Sequence, residues 1–241
     1  MYIEFVGSSG AGKSTMYRNV HESLKKSEIE VFAPIEVCFG KGAKRLLKYE
    51  KLANILLDFF SIPWFLFSLK DHSSFVRYAM KRILKGDEVV LNKLLITRSM
   101  VRKVGMYYYI AYRHPTKLVL VDEGVLNIGH NFLVNDRQNC VTGREVRIFN
   151  KLVPKPDKVV FVKADVQDIV KRIVLRKDKS RRLQGKNKAN IENFAMAAVS
   201  LFECLYEDSI KENWLTVRNS NNSKSLLESN ADEIRKFLLN S

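Results

Sequence analysis

Gly7-Ser8-Ser9-Gly10-Ala11-Gly12-Lys13-Ser14-Thr15 is the stretch on which the reading of this chain turns. It fits the pattern G-x-x-x-x-G-K-[S/T] and follows directly on the apolar run 2–6. Glycines in such a loop let the backbone fold back so that its N–H groups face a phosphate chain. Lys13 then reaches the β- and γ-phosphates, and the Ser14 hydroxyl is placed to coordinate Mg²⁺. Residues 13–26 suit a helix, whose N-terminal dipole also favours an anion. A strand before the loop and a helix after it set the pattern apart from a chance Gly-rich turn. The expectation is a nucleoside triphosphate held by Gly7, Ser8, Ser9, Gly10, Ala11, Gly12, Lys13, Ser14 and Thr15.

Outward from the loop, apolar runs alternate with helical spacings. Strands are expected at 2–6, 29–33 (stopped by Pro34), 117–121, 158–162 and 214–217. Helices are expected at 13–27, 166–176, 191–210 and 223–239, and helical pieces fill 42–112. Strands separated by helices predict an α/β domain with a parallel sheet and right-handed crossovers. No linker or internal repeat divides the chain, so one domain over 1–241 is expected.

Two further elements carry chemistry. The run Leu118-Val119-Leu120-Val121 reads as a strand buried on both faces and ends in Asp122-Glu123-Gly124. Open α/β sheets place their ligands at the carboxyl ends of strands. An aspartate there is placed to hold Mg²⁺ beside Ser14, and Glu123 could orient or deprotonate an attacking hydroxyl. The third element is basic. Residues 171–188 hold nine Lys/Arg and one acid, Asp178. Arg172 and Arg176 lie four apart on one helix face, and Arg181 and Arg182 follow in a loop. Guanidinium groups in a closed site stabilise charge on transferring phosphoryl oxygens. Lys13, Asp122, Glu123, Arg172, Arg176 and Arg181 are therefore the candidate catalytic residues. The competing reading of the arginines is a solvated basic face.

The wider composition sets bounds. The chain has 241 residues, 46% of them hydrophobic, and a formal net charge of +15. Such a charge attracts polyanions: phosphorylated small molecules, acidic membranes, or, with less in its favour, nucleic acid. Cys38, Cys140 and Cys204 are far apart, as are His21, His72, His114 and His130, so neither a disulfide framework nor a metal cluster is expected. The start of the chain is committed to a strand rather than a leader, which makes a cytoplasmic protein the expectation. Residues 52–69 (LANILLDFFSIPWFLFSL) approach membrane-spanning length. Asp58, Pro63 and their place between two strands of one sheet argue against a span. Packing in the core or a homodimer interface is the favoured reading. The other is a face for a membrane or a lipid-linked substrate, next to Lys41, Lys44, Arg45, Lys48 and Lys51.

With these elements in place, the chain resembles the P-loop nucleoside and nucleotide kinases, most nearly the thymidylate kinase-like branch, along nearly its whole length. The resemblance implies a three-layer P-loop NTPase fold, with a five-stranded parallel sheet in order 2-3-1-4-5 and a helical insertion between strands two and three. It implies ATP with Mg²⁺, a small-molecule acceptor bound against the insertion (42–112), and a lid at 177–188 carrying catalytic arginines. Adenine would lie near the lid helix and residues 218–221. The chain departs from the branch in two places. Asp122-Glu123 replaces an Asp-Arg pair, and Ala33-Pro34-Ile35-Glu36-Val37 replaces an Arg-Glu-Pro-Gly-Gly stretch, so no acceptor-phosphate arginine is identifiable. In the related deoxynucleoside kinases a base glutamate follows strand two, which adds Glu36 as a candidate. An Asp-Glu-Gly after strand three also resembles P-loop proteins of bacterial surface-glycan biosynthesis.

GTPase signatures do not fit. Gly124 comes one residue too early for Asp-x-x-Gly, and Val162-Lys163-Ala164-Asp165 lacks the asparagine of Asn-Lys-x-Asp. Two functions remain in view: a small-molecule kinase, and a nucleotide-gated binding protein that works through its basic face.

Overall fold

The computed structural model describes residues 1–40, 43, 50–86, 88–134, 140–176, 183–219 and 224–239, and the side chains of all these except residues 50, 51, 224 and 225. Strand β1 (Tyr2–Val6) lies at the centre of the sheet. It pairs on one side with β3 (Leu118–Asp122) and on the other with β4 (Lys158–Lys163). The outer strands are β2 (Val31–Phe32), beside β3, and β5 (Trp214–Arg218), beside β4. All pairs are parallel and the order is β2-β3-β1-β4-β5, as expected. Phe5 is in register with Asp122. Parallel pairing therefore brings the loop after β1 and the acidic end of β3 to the same edge of the sheet.

Alternation along the strands divides the core into two layers. Ile3, Phe5, Val160 and Val162 pack with Met16, Val20 and Leu24 of α1 (Lys13–Lys26) and with Ile234 and Leu238 of α9 (Lys224–Leu239). On the opposite face, Val6, Val159 and Phe161 pack under α6 (Gly143–Leu152), α7 (Val166–Leu175) and α8 (Lys188–Glu207). Phe5, Phe149 and Phe202 are fully buried, and truncating any of them to alanine should cost about 3–5 kcal/mol.

Three local readings are corrected. The second strand is shorter than expected, because Pro34 opens α2 (Pro34–Phe39) and only Val31 and Phe32 pair with β3. Proline has no N–H to give a ladder, but its fixed φ suits a first helical turn. Helix α6 went unread in sequence, although Val146, Phe149 and Asn150 are buried at helical spacing. Helix α8 starts three residues early, where the Asn187 side chain accepts the Asn190 N–H at 2.9 Å.

The insertion consists of α3 (Glu50–Lys85) and α4 (Val90–Arg113), with α5 (Ile128–Phe132) packed beside them. Helix α3 is not one straight rod. It breaks at His72, whose φ of −119° and ψ of 20° are not helical. Before the break, Arg102 donates to Asn54 at 2.8 Å, and Ser61 meets Gly105 so closely that a Cβ on Gly105 would lie 2.2 Å from the Ser61 carbonyl oxygen. Tyr108 then donates to Asp71 at 3.2 Å. These contacts advance in the same direction along both helices. Past the break the chain runs back along α4, and Lys93 donates to the Leu84 carbonyl at 2.8 Å.

Packing in the core, one favoured expectation for the apolar segment 52–69, does not hold for most of its side chains. Leu52, Ile55, Phe59, Ile62, Leu66 and Phe67 are all exposed, Phe59 by 71%. Asp58, in its middle, is answered by Arg98, whose Nε donates at 2.6 Å, and by Arg102 at 3.6 Å.

Candidate active site

The glycines of the loop are required by space and by backbone sign. Gly7 has φ +146°, and a Cβ there would lie 2.4 Å from the Val162 carbonyl oxygen. Gly12 has φ +96°, and a Cβ there would lie 2.0 Å from Asn219 Nδ2. Neither position admits another residue. The loop closes on itself through the Ala11 N–H to the Ser8 carbonyl at 3.1 Å, and Gly12 hands the chain to α1.

The carbonyls of the loop are gripped from behind. Arg172 donates to the carbonyls of Gly10 (3.2 Å), Ala11 (3.4 Å) and Asn219 (3.1 Å). The fully buried Asn219 donates to the Ala11 carbonyl at 2.8 Å and is itself tied to β4 through its N–H and the Lys163 carbonyl. Holding carbonyls on one side helps to fix the curvature of the loop, whose remaining N–H groups can then serve an anion. Arg172, expected at the transferring phosphoryl group, thus directs its hydrogen bonds to the loop backbone. Helix α7 explains this, because Ile169 and Ile173 lie against Gly10 and bring residue 172 beneath the loop. Arg176, on the same helix face, is exposed at the end of α7. Arg181, Arg182 and the rest of 177–182 lie outside the described residues, as do 220 and 221.

On the front of the loop, Lys13 is nearly buried. It donates to the Ser8 carbonyl at 3.1 Å and pairs with Glu123 Oε1 at 3.2 Å. That ammonium beside the half-exposed Glu123 holds its carboxyl well below the usual carboxylate range. Glu123 sits at φ +66°, a left-handed conformation that costs energy in a residue with a Cβ. Asp122 accepts a hydrogen bond from the exposed Ser14. Burial raises its carboxyl above the ordinary value, and the Ser14 bond opposes that shift.

Asp122 Oδ1 is buried and has no hydrogen-bond partner. A buried carboxylate oxygen left unanswered beside a hydroxyl is a fit for a divalent cation. Mg²⁺ in phosphoryl-transfer sites takes only one or two protein oxygens and completes its shell with water and phosphate. Ser14 and Asp122 are the residues that would hold it. Among the described residues no cluster of three or more His, Cys, Asp or Glu offers a metal cage.

Two charged residues that sequence reading passed over support this arrangement. Glu4 is fully buried in β1; it accepts the N–H groups of Leu126 at 3.1 Å and Asn127 at 3.0 Å. It thereby anchors the turn that carries Glu123. The turn has no slack, since a Cβ on Gly124 would lie 2.4 Å from the Tyr2 hydroxyl oxygen and 2.8 Å from Glu4 Oε2. Burial pushes the Glu4 carboxyl up to about 7, against the pull of those amides. Lys103 of α4 stands in the field of Glu123 and Glu4. Burial lowers its ammonium from the ordinary value while the two carboxylates oppose. A single carboxylate in the otherwise apolar strand Tyr2-Ile3-Glu4-Phe5-Val6 was a legible signal for Glu4; nothing in sequence marked Lys103. Glu36, the other candidate base, is buried and accepts the Ala33 N–H at 2.9 Å, as a helix-start residue of α2.

The sheet order gives the loop two flanks. The β3 flank carries Asp122, Glu123 and Lys103. The β4 flank opens into a cleft lined by Ser8, Lys163, Asp165, Val199, Glu203 and Arg218, where Lys163 pairs with Glu203 at 2.9 Å.

No protein-family model and no curated protein matches this chain. Solved structures do. A shikimate kinase from Bacteroides thetaiotaomicron aligns with a TM-score of 0.50 and 14% identity, over 99% of this chain and 98% of its own. A deoxyadenosine kinase from M. mycoides, solved with bound dCTP, aligns at 0.43 and 15% identity over 98% and 100%. TT1252 from Thermus thermophilus aligns at 0.42 and 14% over 100% and 98%. At such identities the likeness speaks to fold, and only the first reaches a score that bears on it. Together with the phosphate-binding loop and the strand order β2-β3-β1-β4-β5, it shows that the chain has the three-layer α/β fold of P-loop kinases.

Proposed function

We propose that the protein is an ATP- and Mg²⁺-dependent kinase that transfers the γ-phosphate to a small acceptor of nucleotide, nucleoside or sugar/glycan type. The observation that carries this reading is the Lys13–Glu123 pair at 3.2 Å, next to an Asp122 oxygen with no partner. In the resting site Glu123 is bound to the lysine that a triphosphate would claim. When phosphate oxygens take Lys13, Glu123 is released to accept the proton of an attacking hydroxyl. The acceptor oxygen bonds to the γ-phosphorus as the bond to the bridging oxygen breaks and ADP leaves. Mg²⁺ on Ser14 and Asp122 would offset charge on the phosphates. Arg172 serves as a positioning residue for the loop, and Arg176 with Arg181 remain candidates for the transferring group. The cleft on the β4 flank is the proposed side for the base, and the β3 flank, under α4, the side for the acceptor. Asp122-Glu123 in place of Asp-Arg favours an acceptor other than thymidylate within a thymidylate kinase-like plan.

Acceptor-dependent ADP release across a panel of nucleosides, nucleotides, sugars and lipid-linked glycans tests the proposal. At least one acceptor should raise turnover above the background hydrolysis rate, and Lys13→Ala should remove the increase. A panel that never exceeds background would overturn it.

A further inference from the structure

The first half of α3 is the least expected surface of the molecule. Its apolar 18-residue window has a mean hydropathy of 1.7, yet only 17% of it is buried. At about 100° per residue, Leu52, Ile55, Phe59, Ile62 and Leu66 fall within a single quarter of the helix circumference. Phe67 extends the stripe on one side. Single exposed apolar residues are ordinary on a soluble protein, but a continuous stripe of this length marks a surface that is covered in use.

Charge selects what covers it. Lys70 is exposed and lies on the same stripe, one turn beyond Leu66. The sequence just before the stripe, residues 41–51, holds five Lys/Arg against one acid, Glu50. Asp58, the acid in the middle of the helix segment, is engaged by Arg98 and Arg102, and Asp71, next to Lys70, accepts from Tyr108. A second copy laid across the stripe would bring another chain of the same formal charge, +15, against this one. An anionic bilayer complements both parts: its acyl region takes the apolar stripe, and its phosphates take the lysines. Phe59, Phe67 and the half-buried Trp64 are the side chains suited to a membrane interface. The helix does not span, because one side is fixed on α4 at Gly105 and the chain turns back at His72.

We propose that the first half of α3 docks the protein in-plane on an anionic lipid surface. This docking needs no turnover, so it stands or falls apart from the kinase reading. The test is flotation of the full chain with vesicles of phosphatidylcholine alone, or of phosphatidylcholine mixed with phosphatidylglycerol. The anionic vesicles should bind at least about tenfold more tightly, and salt should weaken that binding. Phe59→Ser with Leu66→Ser should weaken it by about tenfold or more at an unchanged unfolding midpoint. In a Trp214→Phe background, brominated lipid should quench Trp64 in the otherwise unaltered chain. Absence of binding overturns the proposal, as does binding that survives the double substitution without Trp64 quenching. A dimer in light scattering that the double substitution dissociates, with vesicle binding absent or unaffected, overturns it in favour of a second copy.

Discussion

Around the loop, charge is confined and, apart from Asp122 Oδ1, answered: Lys13 meets Glu123, Glu4 meets two backbone amides, and Arg172 meets three carbonyls. Along the first half of α3 the balance is reversed, with apolar side chains left in water and the acid in their midst, Asp58, fixed by arginines. The first region spends its ordering on geometry, as a site for a multiply charged ligand requires. The second keeps its freedom at the surface, where any contribution waits for a partner. Substitutions in the two regions should therefore separate into losses of chemistry and fold on one side, and near-silence in the isolated protein on the other.

The largest expected effect is at the loop. Lys13→Ala should lower acceptor-dependent turnover by at least about 10²–10³-fold, measured as ADP release, since it removes charge stabilisation and frees Glu123 in the resting site. A variant that kept its rate would break the contrast at once. Next is Glu4, whose folded pKa of about 7 lies above its ordinary 4.5. Between those values the unfolded chain has lost its proton while the folded one keeps it, so stability should fall as pH rises through that window, by on the order of 3 kcal/mol. Denaturant titrations across the window should show this slope, and Glu4→Gln should flatten it. Smaller again, Gly105→Ala should cost about 1–3 kcal/mol by forcing the Ser61 backbone away from α4, read as a lower denaturation midpoint at unchanged slope. Smallest is Phe59→Ser, expected within about 0.5 kcal/mol of the parent in thermal unfolding because the side chain is already solvated. A large loss there would mean that the stripe is part of the core, and the two regions would no longer differ in kind.

Legibility in the sequence follows the same divide. The loop, Asp122 and the strand runs were readable because local rules govern them: glycine backbone freedom, apolar runs buried on both faces, and a carboxylate at a strand end. Arg172 was found by helical spacing, but its direction was not, since spacing tells which face a residue shares and not what that face meets. Glu4 and Lys103 belong to the site only through the register of β1 with β3 and the pass of α4 over the sheet, which are long-range facts. The apolar segment was misread as core packing for the opposite reason. Hydropathy measures a preference for burial, and here six large apolar side chains of the segment are left exposed by the fold.

Gly105 gives the insertion a mechanical character. Where it crosses Ser61, main chain rests on main chain, without a side chain between to yield by changing rotamer. Close packing of this kind leaves the first half of α3 little room to shift against the middle of α4. Lys103 lies two residues from the joint. The apolar outer surface of α3 and the lysine that faces Glu123 and Glu4 are thus joined through a close contact between two helices.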